Sequence, residues 1–118
     1  MAKILIAEDN LTDIEIILKF AEFLEEHNIT IAVTGDEAIK KAEEIKPDLI
    51  LMDLRLPLID GYSAIKMIKE KLNIPIIVIS ACFYKDEKEK AFKAGCDEYL
   101  VKPFKLNEFI ESVKRHLK

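Results

Sequence analysis

The chain has 118 residues, a length typical of one globular domain, and half of these residues are hydrophobic. With only three glycines and four prolines, its composition is not that of a disordered chain. The formal net charge of −4 gives no general reason to bind nucleic acid or a membrane, and no hydrophobic run is long enough to span a bilayer. Because no signal peptide is evident and the two cysteines lack metal-ligand spacing, we expect a cytoplasmic protein with reduced thiols.

The first half of the chain alternates between strand-like and helical patterns. A hydrophobic run at residues 3–7 predicts a buried strand, and a β-rich run at residues 29–33 predicts a second strand. Hydrophobic residues at helical spacing follow each run, with Asp36 as the candidate N-cap of the second helix and Pro47 near its end. The predicted inner faces are Ile14, Ile17, Leu18, Ala21 and Leu24 in the first helix, and Ala38, Ala42 and Ile45 in the second.

The second half of the chain repeats this alternation. Strands are predicted at residues 49–52, 76–79 and 99–101. A polar, weakly amphipathic helix is predicted at residues 85–94, and Gly95 closes it. The inner faces of the two other helices are Ala64, Ile65, Ile68 and Leu72, and Leu106, Phe109, Ile110, Val113 and Leu117.

This succession of strand–helix units predicts an α/β domain, namely a parallel five-stranded sheet with five helices on both of its faces. We expect residues 1–118 to form a single domain without an output domain. The runs at residues 49–52 and 76–79 are almost wholly hydrophobic, as central strands are, whereas residues 29–33 are the best candidate for an edge strand. The pattern leaves the order of the strands open.

Polar residues follow four of the predicted strands at the point where each strand ends. The first strand runs into Glu8 and Asp9, and the third runs into Asp53. The fourth strand ends on Ser80, and Lys102 follows the fifth. Ligands of open α/β sheets bind at the carboxyl ends of the strands, so we expect these side chains to converge there.

The chemistry of this group predicts a phosphoryl acceptor. Three neighbouring carboxylates repel one another unless a cation joins them, and oxygen ligands without His or Cys suit Mg²⁺, for which Mn²⁺ can substitute. An ammonium and a hydroxyl facing that metal can hold phosphoryl oxygens. A carboxylate can serve as the nucleophile and form an aspartyl phosphate.

From end to end, the sequence resembles the receiver domain of two-component response regulators. The stretch MDLRLPLIDGYSAI resembles the phosphorylation loop of that family, and AEDN, ISA and YLVKPF resemble its other signatures. This resemblance implies a flavodoxin-like fold with strand order 2-1-3-4-5. It also implies a signalling switch that catalyses its own phosphorylation and dephosphorylation and is not a classical enzyme.

The resemblance also implies roles for the acidic residues. Asp53 would be the phosphoacceptor and a metal ligand. Asp9 would bind Mg²⁺ directly, Glu8 through water, and Arg55 through its backbone carbonyl. Glu8 and Asp9 could instead cap the first helix, but Asn10 and Thr12 can do that as well, which favours the metal role for the two acidic residues.

Further roles follow for residues on the last two strands. Ser80 and Lys102 would contact the phosphoryl oxygens, and Tyr99 would be the aromatic switch residue, although a half-buried strand tyrosine is also common. The bond between Lys102 and Pro103 resembles the family's cis peptide. The chain departs from the family pattern at Leu58, where glycine is frequent.

The partners implied are a sensor histidine kinase or a histidine phosphotransfer protein as donor, and a downstream protein target. We expect the target to bind the face formed by the 85–94 helix, the fifth strand and the last helix. Neither direct nucleic-acid binding nor membrane binding is expected. The chain would be a monomer or a weak phosphorylation-dependent dimer, and the output would be protein binding or transfer of the phosphoryl group.

Two other classes of function compete with this one. A haloacid-dehalogenase-like phosphatase uses the same aspartyl-phosphate chemistry but needs a DxD pattern and a cap, and the sequence has neither. A binding module that has lost phosphorylation is disfavoured by the retention of Ser80, Lys102 and the acidic residues.

Overall fold

The computed structural model describes residues 1–117 of the chain, so Lys118, the last residue of the predicted domain, lies outside the described residues. Its elements in chain order are β1 (Ala2–Ala7), α1 (Leu11–Ala21), β2 (His27–Ala32), α2 (Gly35–Ile45), β3 (Leu49–Asp53), α3 (Gly61–Lys71), β4 (Ile76–Ser80), α4 (Lys85–Ala94), β5 (Glu98–Val101) and α5 (Leu106–His116). The predicted succession of five strand–helix units is therefore confirmed.

All strand pairs are parallel, and the order is β2-β1-β3-β4-β5. The order that the resemblance implied is confirmed, as is the edge position of the second strand. Every residue of β3 and β4 is buried, whereas most of β2 is only partly buried. Continuous hydrophobic strands are covered on both faces by helices, which explains why these two runs lack polar alternation.

Each face of the sheet carries its own hydrophobic core. On one face, Leu5, Ile50 and Val78 pack with residues of α2, α3 and α4. On the other face, Ile6 and Ile79 pack with residues of α1 and α5. Side chains of a strand point alternately to the two faces, so a single strand such as β1 supplies both cores.

Two local predictions are wrong. The N-cap of α2 is Thr34, whose hydroxyl accepts a hydrogen bond from the backbone N–H of Glu37 at 3.2 Å. Asp36 lies inside the first turn of α2, where its side chain cannot cap the helix. Leu18 is exposed, and Phe20 instead packs against the core.

The observed strands also differ slightly in length from the predicted ones. β3 and β4 each extend one residue further than predicted, so that Asp53 and Ser80 are the last residues of their strands. β2 begins at His27 and ends at Ala32. Within residues 1–117, none of the helices has the length and hydrophobicity needed to cross a membrane.

Candidate functional site at the carboxyl edge of the sheet

The candidate site lies where β1, β3, β4 and β5 end. Asp53 and Ser80 are the last residues of β3 and β4, while Glu8 and Lys102 follow β1 and β5 directly. Because β1 and β3 are neighbours in the sheet, Glu8 and Asp53 come to lie side by side. The sheet order thus brings together residues that are up to 94 positions apart in the chain.

Lys102 is the centre of the site. Its Nζ atom lies 2.6 Å from Oε1 of Glu8 and 2.9 Å from Oδ2 of Asp53. It also lies 2.8 Å from Oδ2 of Asp13, in the first turn of α1. Burial alone would lower the pKa of Lys102, but the hydrogen bonds to the three carboxylates outweigh burial and raise this pKa above its ordinary value.

Glu8 is fully buried, and its side chain is held at both oxygens. Oε1 accepts from Lys102, and Oε2 accepts from the backbone N–H groups of Asp9 and Asn10 at 3.1 and 3.2 Å. Burial, together with the neighbouring Asp53, raises the pKa of Glu8 from 4.5 to about 7, although Lys102 acts in the opposite direction. The single ammonium of Lys102 faces the carboxylates of Glu8, Asp13 and Asp53, so it does not neutralise the pocket when all three are ionised.

Asp53 is oriented by the loop that follows β3. Its Oδ1 atom accepts a hydrogen bond from the backbone N–H of Arg55 at 2.9 Å, which leaves Oδ2 for Lys102. A Cβ atom at Gly61 would lie 2.4 Å from the backbone oxygen of Asp53, so only glycine lets the start of α3 approach this strand end. Leu58, in the same loop, adopts a φ of 68°, a conformation that favours glycine.

A carboxylate that the sequence analysis missed completes an acidic cluster. Oxygen atoms of Glu8, Asp13 and Asp53 all lie within 4.8 Å of one another, and this set could hold a metal ion. Hard oxygen ligands without His or Cys suit Mg²⁺ or Mn²⁺, so the residues present fit such a cation. Asp9, which the sequence predicted as a direct ligand, is exposed and is not part of this cluster.

Asp13 was not predicted as a site residue because it does not directly follow a strand. The rule that ligands bind at strand ends selects residues such as Glu8, whereas Asp13 is the third residue of α1. Its position in the first turn of a helix that begins at this edge was the available signal.

Ser80 and Tyr99 are linked through the loop between β4 and α4. The Oγ atom of Ser80 accepts from the backbone N–H of Cys82 at 3.1 Å. The hydroxyl of Tyr99 donates to the backbone carbonyl of Cys82 at 2.7 Å. Burial is the main cause that raises the pKa of Tyr99 above its ordinary value. Both predicted switch residues therefore contact one residue of this loop.

The helix that follows this loop is held mainly by polar contacts. Ala91 is its only buried residue, and its N-cap, Tyr84, provides no side-chain hydrogen bond. The hydroxyl of Tyr62 donates to Glu87, and the ammonium of Lys90 lies 4.3 Å from the centre of the Tyr62 ring. With little hydrophobic burial, α4 is expected to open more easily than the other helices.

A groove of about 570 Å³ adjoins the site between α1 and the connection from β5 to α5. Asp13 and Lys102 line one part of the groove, and Ile16, Phe20 and Phe104 line another. The predicted cis peptide between Lys102 and Pro103 is confirmed. The charged centre thus opens beside a hydrophobic surface.

Comparison with known proteins identifies related chains. Residues 4–114 match the family model described as response regulator receiver domain. The polar-differentiation response regulator DivK of Brucella anthropi is 34% identical over 119 residues, which cover 97% of this chain and 94% of DivK. The transcriptional regulatory protein PrrA of Mycobacterium leprae is 33% identical over 117 residues, and these cover 98% of this chain but 50% of PrrA. The chain thus spans about half the length of several curated relatives that it matches.

Solved structures show the same relationship. The receiver domain of sensor histidine kinase PA1611 from Pseudomonas aeruginosa superimposes with a TM-score of 0.90 at 35% identity, covering 98% of this chain and 97% of that chain. That structure is described with a magnesium ion coordinated in its active-site cleft. The receiver domain of the Francisella response regulator 1452 superimposes with a TM-score of 0.88 at 33% identity, covering 99% and 97% of the two chains.

Proposed function

The chain belongs to the response regulator receiver domain family of two-component signalling, and we propose that phosphorylation of Asp53 changes it from an inactive to an active conformation. The observation that carries this proposal is the position of the Lys102 ammonium, 2.9 Å from Asp53 Oδ2 at the ends of β3 and β5. A fixed cation beside a carboxylate is what transfer of a phosphoryl group to that carboxylate needs, because such transfer relies on positioning and charge neutralisation.

In the proposed reaction, a carboxylate oxygen of Asp53 forms a bond to phosphorus while the bond from phosphorus to the donor breaks. The backbone N–H of Arg55 holds one oxygen of Asp53 in place, so the carboxylate meets the donor in one orientation. Lys102 and the hydroxyl of Ser80 would then hold phosphoryl oxygens through charge-assisted hydrogen bonds. The donor proposed is a phosphohistidine of a sensor kinase or of a phosphotransfer protein.

The cofactor proposed is Mg²⁺, which supplies neutralisation of the charge that Lys102 alone leaves uncompensated. Glu8 and Asp53 offer clustered oxygens, and Asp9 and the backbone carbonyl of Arg55 remain predicted ligands. Three carboxylates surround the single ammonium of Lys102, and the excess negative charge of this pocket supports the assignment.

The output proposed is either binding of a downstream protein to the face formed by α4, β5 and α5, which changes on phosphorylation, or transfer of the phosphoryl group to another protein. Tyr99 and Ser80 both contact Cys82, in the loop that leads into α4. A movement of Ser80 toward a phosphoryl group would therefore change the contacts of this loop. The weak hydrophobic anchoring of α4 supports its role as the element that responds.

Incubation with acetyl phosphate, followed by intact mass measurement, tests the proposal. Wild type with Mg²⁺ should gain one phosphoryl group, whereas wild type with EDTA and Asp53→Asn with Mg²⁺ should gain none. Asp36→Asn is the matched control, because Asp36 is an exposed aspartate in the first turn of α2 and is not part of the acidic cluster. Rapid hydrolysis of acetyl phosphate without an adduct would favour a phosphatase, and no reaction at all would favour a module that has lost phosphorylation.

A further inference from the structure

Every hydrogen-bond donor of the Lys102 ammonium is in use. A lysine ammonium has three N–H donors. The acceptors around Nζ are Glu8 at 2.6 Å, Asp13 at 2.8 Å and Asp53 at 2.9 Å. The side chain of Lys102 is only 14% exposed, so little room remains for water to act as a further acceptor. A phosphoryl group on Asp53 can take over the one donor that Lys102 gives to Asp53, but a second phosphoryl oxygen must take a donor from Glu8 or Asp13.

Asp13 is the least firmly held of these acceptors. The second oxygens of Glu8 and Asp53 accept from backbone N–H groups, which keeps both carboxylates in place when a partner is lost. Within residues 1–117, the side-chain oxygens of Asp13 accept a hydrogen bond from Lys102 alone. Its side chain is 31% exposed, against 0% for Glu8 and 10% for Asp53. Releasing Asp13 toward water therefore costs less than releasing either of the others.

We propose that Asp13 is a positioning residue that competes with the phosphoryl group for Lys102, and this inference rests on the proposed phosphorylation of Asp53. A phosphoryl group adds three strong acceptor oxygens, and because an aspartyl phosphate dianion replaces a carboxylate anion, the pocket gains about one negative charge. One donor of Lys102 then passes from Asp13 to a phosphoryl oxygen, and the Asp13 carboxylate turns into the groove beside α1. The contact between Asp13 and Lys102 stabilises the unphosphorylated state and is lost in the other state, so it sets the threshold of the switch.

The same movement reaches a surface outside the phosphorylation pocket. Asp13 lines the groove together with the hydrophobic residues Ile16 and Phe20 of α1. A carboxylate that is released from Lys102 places a solvated negative charge at this hydrophobic edge. Phosphorylation thus alters α1 as well as the face that contains α4.

Binding of beryllofluoride, a mimic of the phosphoryl group, at saturating Mg²⁺ tests this competition by calorimetry. Asp13→Asn removes the charge and retains the shape, so it should bind beryllofluoride at least about fivefold more tightly than wild type, the lower end of ordinary coupling between sites. Asp13→Glu keeps the charge and should restore the wild-type affinity. Asp36→Asn removes a first-turn charge from α2 and should leave the affinity unchanged.

The same substitution in a Lys102→Ala background separates competition from simple charge repulsion. If Asp13 acts through the ammonium, Asp13→Asn should change the affinity less than about twofold once Lys102 is absent, which is the ordinary scatter of additive effects. An equal gain in both backgrounds would overturn the proposed competition, as would an Asp13→Asn protein that binds no more tightly than wild type.

The failure of this inference is distinguishable from that of the proposed function. Wild type that neither binds beryllofluoride nor takes up phosphate from acetyl phosphate would overturn both. Wild type that does both, with an Asp13→Asn protein indistinguishable from it, would overturn only the role of Asp13.

Discussion

The hydroxyl of Tyr99 lies 2.7 Å from the backbone carbonyl of Cys82 and donates a hydrogen bond to it, which ties β5 to the loop that leads into α4. Ser80 accepts a hydrogen bond from the N–H of the same residue. Cys82 is therefore the shared contact of the hydroxyl at the end of β4 and the aromatic side chain of β5. Any signal that passes from Ser80 to the α4 face has a short covalent and hydrogen-bonded route.

Tyr99→Phe should uncouple α4 from the phosphorylation site. The substitution removes one hydrogen bond while it keeps the ring, so unfolding should become easier by only about 0.5–1.5 kcal/mol. In NMR spectra with beryllofluoride and Mg²⁺, wild type should show shifts from Asp53 through Ser80 to Lys88 and Phe92. The variant should keep the shifts near Asp53 and lose those in α4. Equal α4 shifts in both proteins would contradict this route.

The metal-free protein should lose stability as the pH rises from about 5 to 8, because burial and Asp53 raise the pKa of Glu8 from 4.5 to about 7 in the folded state. The folded state then binds more protons than the unfolded state between these pKa values, so the free energy of unfolding falls through that range. The full effect is roughly 3 kcal/mol, because a tenfold change in a proton-binding constant corresponds to about 1.36 kcal/mol.

Urea denaturation in EDTA at several pH values measures this effect, with Glu8→Gln as the reference. Gln cannot ionise, so the difference between the two proteins isolates Glu8 from other groups that titrate in the same range. The two stability curves should diverge with rising pH in favour of Glu8→Gln. Parallel curves would show that Glu8 does not titrate in this window.

Asp9→Ala should weaken Mg²⁺ binding at least about tenfold if Asp9 becomes a direct ligand, which corresponds to about 1.4 kcal/mol. The structure makes this a sharp test, because Asp9 is exposed and lies outside the cluster of Glu8, Asp13 and Asp53. Titration of Mg²⁺ into wild type, Asp9→Ala and the control Asp36→Asn decides the matter. An unchanged affinity in Asp9→Ala would assign the metal to the cluster alone.

Much of this architecture could be predicted from hydrophobic patterning. Residues 49–52 and 76–79 are covered by helices on both faces and are therefore continuously hydrophobic. Such a run indicates a central strand, so the position of these two strands in the sheet could be predicted. Because Glu8, Asp53 and Lys102 lie at the carboxyl ends of parallel strands, their convergence at one edge of the sheet could also be predicted. The order of the strands came from family resemblance, because periodicity carries no information on which strands are neighbours.

Features that depend on side-chain geometry could not be predicted. Thr34 and Asp36 are both good N-cap residues, and only the backbone conformation at the helix start decides between them. Similarly, the sequence shows two adjacent carboxylates after β1 but does not show that Glu8 is buried while Asp9 is exposed. Asp13 lies in a helix, so a prediction based on strand ends does not include it.

The central claim is that the phosphoryl group is carried by Asp53. Reduction of the acetyl-phosphate-treated protein with borohydride converts an aspartyl phosphate to homoserine, and peptide mass spectrometry then locates the altered residue. The proposed function predicts homoserine at position 53, dependent on Mg²⁺ and absent from Asp53→Asn. Homoserine at Asp9 or Asp13, or no homoserine in a protein that has gained the mass of a phosphoryl group, would contradict it.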